Sequence, residues 1–202
     1  MRITEAKMIK LGACDGDWKK YFIGKKSVDV KLILDAAIAD ENYSYAQWGL
    51  SRLMTHKQQI KWAVYCAEQV IKIYEDKYPD NPAPRNAINA AKKYLRYPTE
   101  KNKYAAFTAA NAAANAANAA DTDVDADADA AGHAADSATY AADSAYAACA
   151  AYAAANAANA AASAASYAAS YAAAYAASAA EYKKMQEKLL HKGLSILLEQ
   201  AK

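Results

Sequence analysis

The chain has 202 residues, 24 Lys and Arg against 22 Asp and Glu, and 55% hydrophobic residues, so it can bury a core as one domain or as one domain with an appendage. A formal net charge of +2 excludes a uniformly basic nucleic-acid binder, and direct nucleic-acid contact is not expected. Cys14, Cys66 and Cys149 form no CxxC and have no nearby histidine, which argues against a disulfide framework or zinc site and suits a reducing compartment.

Met1 to Leu11 mixes charged and apolar residues without an uninterrupted hydrophobic stretch, unlike a signal peptide, so a cytoplasmic location is expected. The first strong helical signal comes after Ser27, a natural N-cap: Val30, Ile33, Leu34, Ala37 and Ile38 share one face. The alternation over Val28 to Leu32 also fits a strand, but the residues after it favour helix. A second helix is predicted from Ser44 to Met54. Thr55-His-Lys-Gln58 reads as a capping box opening a long amphipathic helix to about Lys77. Its inner stripe is Ile60, Ala63, Val64, Ala67, Val70, Ile71 and Tyr74. Three prolines in Pro79-Asp-Asn-Pro-Ala-Pro84 end that helix. Another runs from Arg85 to Arg96 and stops at Tyr97-Pro98, and Thr99-Glu100 caps the helix after it.

The composition then changes. Residues 104–180 are dominated by alanine and contain seven aspartates and no Lys or Arg, a net −7. Residues 1–103 carry 19 Lys and Arg against 12 Asp and Glu, a net +7, and the tail from Glu181 carries +2. Within the alanine region Thr108, Asn111, Asn115, Asn118, Thr122, Asp125 and Asp129 step alternately by three and four, and Asn156, Asn159, Ser163, Ser166 and Ser170 resume the rhythm. Such spacing draws one polar stripe along a helix, with water on the stripe and alanine packed on neighbours. Frequent polar residues argue against a membrane span. Gly132-His133 is the expected break, giving antiparallel helices over about 99–131 and 134–191, the second kinked near Ser144 to Tyr152. Tyr167, Tyr171, Tyr175 and Tyr182 form a stripe expected to clamp this hairpin to the earlier helices. The predicted fold is all-α: an N-terminal helical bundle (1–98) packed on a long alanine-rich antiparallel helical hairpin and C-terminal helix (99–202), as one unit.

Asp15-Gly-Asp-Trp18, the junction Tyr78-Pro-Asp-Asn-Pro-Ala-Pro-Arg85-Asn-Ala-Ile88 and the A-A-x-A-A repeats after it resemble the Imm-5-like family of immunity proteins, over most of the chain. In that family the junction reads Pro-x-Asp-x-Arg-Pro-Arg followed by Ala-Ile. Here Asn81 and Pro82 shift the pattern, Ala83 stands where the first arginine belongs, and Pro84-Arg85 and Ala87-Ile88 match. The resemblance implies a helical protein of bacteria and phages, and an antidote that binds and blocks a toxin.

The sharpest local motif is Asp121-Thr-Asp-Val-Asp-Ala-Asp-Ala-Asp129, with carboxylates at Asp121, Asp123, Asp125, Asp127 and Asp129. It reads either as a solvated helix end or as an acidic surface for a basic patch on a partner. It is not an EF-hand: counted from Asp127, Gly132 takes the sixth place, but Ala131 and Ala138 occupy the fifth and twelfth. Arg85 either anchors a partner carboxylate or holds its own turn to the core. Trp18, Trp48 and Trp62 are core residues or an aromatic hot spot, and Trp18, close to Asp15, Asp17, Lys19 and Lys20, is the one expected to be partly exposed. His56, His133 and His191 show no ligand spacing, and no nucleophile or phosphate-loop motif occurs. The expectation is a non-catalytic protein without metal or cofactor that inhibits a bacterial toxin, nuclease or defence-complex subunit by occlusion. A phage-borne anti-defence protein (an anti-CRISPR-type inhibitor) and a self-assembling helical protein, for instance a homodimer, are the alternatives.

Overall fold

A polar cap opens most of the helices. In the computed structural model, which describes residues 1–13, 17–120, 131–132, 134–136, 138–142 and 175–199, Thr4 caps α1 (Glu5–Lys10), Asp29 caps α2 (Val30–Ala39) and Asn42 caps α3 (Tyr43–Leu53). Each cap's side chain accepts an N–H that has no partner inside the helix. Thr55 and Gln58 form the reciprocal capping box of α4 (His56–Lys77). Pro84 sits in the first turn of α5 (Ala83–Arg96), where its missing N–H costs nothing. The Thr99 hydroxyl accepts from the Asn102 amide at 3.2 Å and starts α6 (Glu100–Ala120). The last helix, α7, spans Tyr175–Leu198. The fold is all-α. Among the described residues the exception is a two-residue antiparallel ladder, β1 (Arg2–Ile3) on β2 (Val28–Asp29), with Arg2 opposite Asp29 and Ile3 opposite Val28.

That ladder corrects the N-cap expected at Ser27. Val28 and Asp29 are taken by β1, so the helix starts two residues later and Asp29 accepts from the Lys31 amide at 2.9 Å. Ser27 instead accepts the Arg2 guanidinium on its hydroxyl at 2.9 Å. The α2 face is as predicted, with Val30, Ile33, Leu34, Ala37 and Ile38 all buried. So is the whole inner stripe of α4.

Packing divides the helices differently from their order in the chain. Helix α7 lies against α2, α3 and α4, while α5 packs on α4 and α6 on α5. The boundary expected at residue 98 is therefore crossed, because the C-terminal helix completes the N-terminal bundle. Three buried side chains fix where it sits. Trp62 Nε1 donates to the Leu189 carbonyl at 3.0 Å, Gln47 Nε2 to Gln186 Oε1 at 2.9 Å, and Gln58 Nε2 to the Ile196 carbonyl at 2.7 Å. At the closest approach Gly193 presents bare backbone to Leu50 and Trp62. Tyr182 is half-buried against this core and its hydroxyl accepts from Gln186 at 2.8 Å, while Tyr167 and Tyr171 lie outside the described residues.

Helix α6 bears out the first part of the predicted polar stripe, while Thr122, Asp125, Asp129 and the stretch 156–170 lie outside the described residues. Thr108, Asn111, Asn115 and Asn118 are exposed, and Ala106, Ala110, Ala113, Ala117 and Ala120 are buried. Ala106, Ala110, Ala113, Ala117 and Ala120 each come two residues after a member of the series Tyr104, Thr108, Asn111, Asn115, Asn118, a rotation of about 200° that sets the two stripes on opposite sides; Ala116, also buried, widens the dry side. A seam of methyl groups lets a neighbouring helix approach toward the lower end of the usual ~8–10 Å range.

Of the break expected at Gly132-His133, His133 lies outside the described residues, as do residues 121–130 before it. Residues 131, 132 and 134–136 are helical, and Gly132 is buried. A glycine inside a helix costs roughly 1 kcal/mol against alanine and does not by itself end one. The kink expected between residues 144 and 152 lies outside the described residues.

Two substitutions test this packing. A Cβ at Gly193 would stand 2.9 Å from Leu50 Cδ1 and 3.0 Å from the ring of Trp62. Gly193→Ala gains about 1 kcal/mol of helix propensity but overpacks a rigid indole at about 1–3 kcal/mol, so urea denaturation should show net destabilisation; equal or greater stability would mean α7 does not dock this closely. In α6, Ala113 is fully buried and Ala112 exposed. Ala113→Leu should lower stability by about 1–3 kcal/mol and Ala112→Leu by no more than about 0.5. Equal effects would refute the seam.

Candidate partner-binding surface

Between α4 and α5 the charges are matched in pairs. Helix α5 contains no acidic residue, and two of its cations, Arg85 and Lys92, meet carboxylates on α4. Arg85 engages Glu75 with two parallel bonds, Nε to Oε1 at 2.6 Å and Nη2 to Oε2 at 2.7 Å. One stretch of helix further along, Lys92 pairs with Glu68. The fork from guanidinium to carboxylate ties the first turn of α5 back across the proline junction to the last turns of α4. Arg85 hydrogen bonding, set against some desolvation, holds the Glu75 carboxyl below its ordinary range, and the same bond raises Arg85. Of the two roles open to Arg85 from sequence, the structure places it in the one that holds its own turn.

Trp18 is not exposed. It is 3% accessible and meets Phe22 edge to face, ring centroids 5.7 Å apart and planes at 86°. The 3₁₀ turn Asp17–Phe22 rolls the indole inward and leaves Lys19 and Lys20 at the surface. Partial exposure belongs to Trp48, stacked on Tyr45 at 5.8 Å, while Trp62 is fully buried. Asp121, Asp123, Asp125, Asp127 and Asp129 lie outside the described residues.

Sequence reasoning missed a groove where the start of α4 faces the end of α5. Its volume is about 380 Å³ and its lining is His56, Lys57, Ile60, Tyr94, Leu95, Arg96 and Pro98. The His56 and Tyr94 rings stand 6.2 Å apart. Thr55 to Gln58 reads from sequence as a capping box alone, although the basic and aromatic run Lys92-Lys-Tyr-Leu-Arg-Tyr-Pro98 carried the signal.

Compared with protein-family models, with curated proteins and with solved structures, the chain matches none. Among the described residues no three His, Cys, Asp or Glu side chains gather in a way that could hold a metal ion, and no helix is long and apolar enough to cross a membrane. Cys66 is fully buried and desolvation pushes its thiol up, which keeps it protonated and poorly nucleophilic. Apolar side chains are exposed at Ile9, Ile23 and Leu32, by 57%, 78% and 55%.

The Arg85–Glu75 fork has a pH signature. Glu75 is depressed in the folded state, so its stabilisation is present above its ordinary 4.5 and is lost as pH falls below that value toward the folded pKa. Both side chains are just over one-third exposed, at 35% and 37%, so solvent screening limits the pair to no more than about 1 kcal/mol. The stability gap between wild type and Glu75→Gln, read by thermal melts across pH 7 to pH 3, should shrink below pH 4.5. A gap that stays constant would mean the pair contributes nothing.

Proposed function

We propose that the protein acts without catalysis, as an immunity-like inhibitor that binds a bacterial toxin, nuclease or defence-complex subunit and covers its working surface. The observation that carries this reading is the segregation of charge, with +7 on residues 1–103 and −7, without a single cation, on residues 104–180. A chain built this way offers a basic partner one strongly acidic segment, and such complementarity steers encounter and suppresses wrong partners more than it adds affinity. The exposed aliphatics Ile9, Ile23 and Leu32 supply apolar area of the kind an interface core uses. A helical scaffold that holds its shape loses little conformational entropy on binding, so occlusion needs no moving parts.

The experiment is capture from bacterial lysate, then an activity assay of what is captured. Wild type is compared with a variant carrying asparagine in place of Asp121, Asp123, Asp125, Asp127 and Asp129. The expected outcome is a partner whose activity falls at stoichiometric addition of wild type, with affinity at least about tenfold weaker for the variant and steeply salt-dependent. Capture of the protein's own copies alone, with a dimer in light scattering, would replace this reading with self-assembly. A captured enzyme left fully active would rule inhibition out.

A further inference from the structure

The groove between α4 and α5 breaks the charge pairing of the interface it terminates. Along that interface acid on α4 meets base on α5 twice, Glu75 with Arg85 and Glu68 with Lys92. At the groove, base on α4 meets base on α5. Lys57 and Arg96 both line it, and neither has an ion-pair or side-chain hydrogen-bond partner among the described residues. Glu100, four residues from Arg96, is engaged with Lys103 at 3.6 Å, and Glu199 with Lys61 at 2.7 Å. The first turn of α4 contains no acidic residue, so the positive end of its helix dipole adds to the same field. Like charges on opposed walls raise each other's free energy, and an anion between them relieves it.

The rest of the lining restricts which anion. Ile60 is buried beneath the groove, Leu95 and Tyr94 are half-buried, and Pro98 closes one end. The Tyr94 and His56 rings meet at 6.2 Å with their planes tilted by 52°, so a planar group lies on Tyr94 alone and not between the two. A volume of about 380 Å³ lies within the range of small-molecule sites, ~300–1,000 Å³, and far exceeds the need of an inorganic ion. Arginine suits phosphate oxygens through its planar fork, lysine as a point charge. Aromatic side chains stack bases without regard to sequence.

We infer that this groove binds a nucleotide-type ligand, a phosphate held by Lys57 and Arg96 whose attached flat ring lies on Tyr94, a site independent of the inhibitory surface. The ligand is either a free mononucleotide or a nucleotide unit of a single strand, which present the same chemistry to the groove.

The test is calorimetry and amide chemical-shift mapping on the whole protein, with AMP, adenosine and inorganic phosphate as probes. AMP should bind one site with a submillimolar Kd and shift the amides of Ile60, Tyr94 and Leu95, with adenosine and phosphate each at least about tenfold weaker. The double variant Lys57→Ala/Arg96→Ala should weaken AMP by roughly tenfold or more with an unchanged melting temperature, since both side chains are exposed. Arg96→Gln alone should fall between. Tyr94→Leu should lower AMP affinity and leave phosphate binding as it was. A short single-stranded oligonucleotide binding tighter than AMP assigns the groove to a strand, and equal or weaker binding assigns it to the free nucleotide. Phosphate binding as tightly as AMP, an adventitious ion only, overturns the inference. So does an AMP affinity untouched by the double variant, or no shift at those amides.

Discussion

The Trp62 indole and the backbone it touches hold the molecule together. Its N–H reaches the Leu189 carbonyl, 127 residues away in the chain, and Gly193 one turn later leaves room for the ring. The apolar side chains of α7, among them Leu189, Leu190 and Leu194, supply the favourable free energy of docking, but leucines alone would tolerate a slip along the groove. The polar contacts do not. A slip by one residue would orphan the Trp62 N–H and the amides of Gln47 and Gln58, each at about 1–3 kcal/mol when buried without a partner. Apolar burial thus drives association of α7, and a few satisfied polar groups choose its register.

Docking of α7 also determines how the two charge regimes coexist. Some basic residues of the bundle pair with neighbours: Lys20 with Asp40, Lys61 with Glu199, Lys72 with Asp76, Arg85 with Glu75 and Lys183 with Glu41. Two of these pairs, Lys61 with Glu199 and Lys183 with Glu41, bridge α7 and its surroundings. Exposed pairs of this kind contribute little each.

Helix positions were legible because they depend on local chemistry. The capping box at Thr55, the proline stop after Lys77 and the polar stripe of α6 are written within a few residues of where they act. Ser27 misled because the residues after it are claimed by a strand partner at the N-terminus, a tertiary contact no local pattern announces. Trp18 misled for the opposite reason: its charged neighbours suggested a surface, but a 3₁₀ turn points adjacent side chains in different directions. The groove was not read from sequence because its walls come from two helices whose lining residues lie about 40 positions apart, and the basic and aromatic run at the end of α5 marks only one of them.

The two opposed stripes of α6 repeat with a seven-residue period, Ala106 to Ala113 to Ala120 on one side and Tyr104 to Asn111 to Asn118 on the other. Insertion or deletion of a whole heptad therefore returns every later side chain to the face it left. A change of two residues carries the asparagines onto the buried seam and turns the helix inside out. Length in this helix is quantised: it can grow or shrink by sevens while keeping both its dry and its wet side, and related chains that vary here should differ by multiples of that unit.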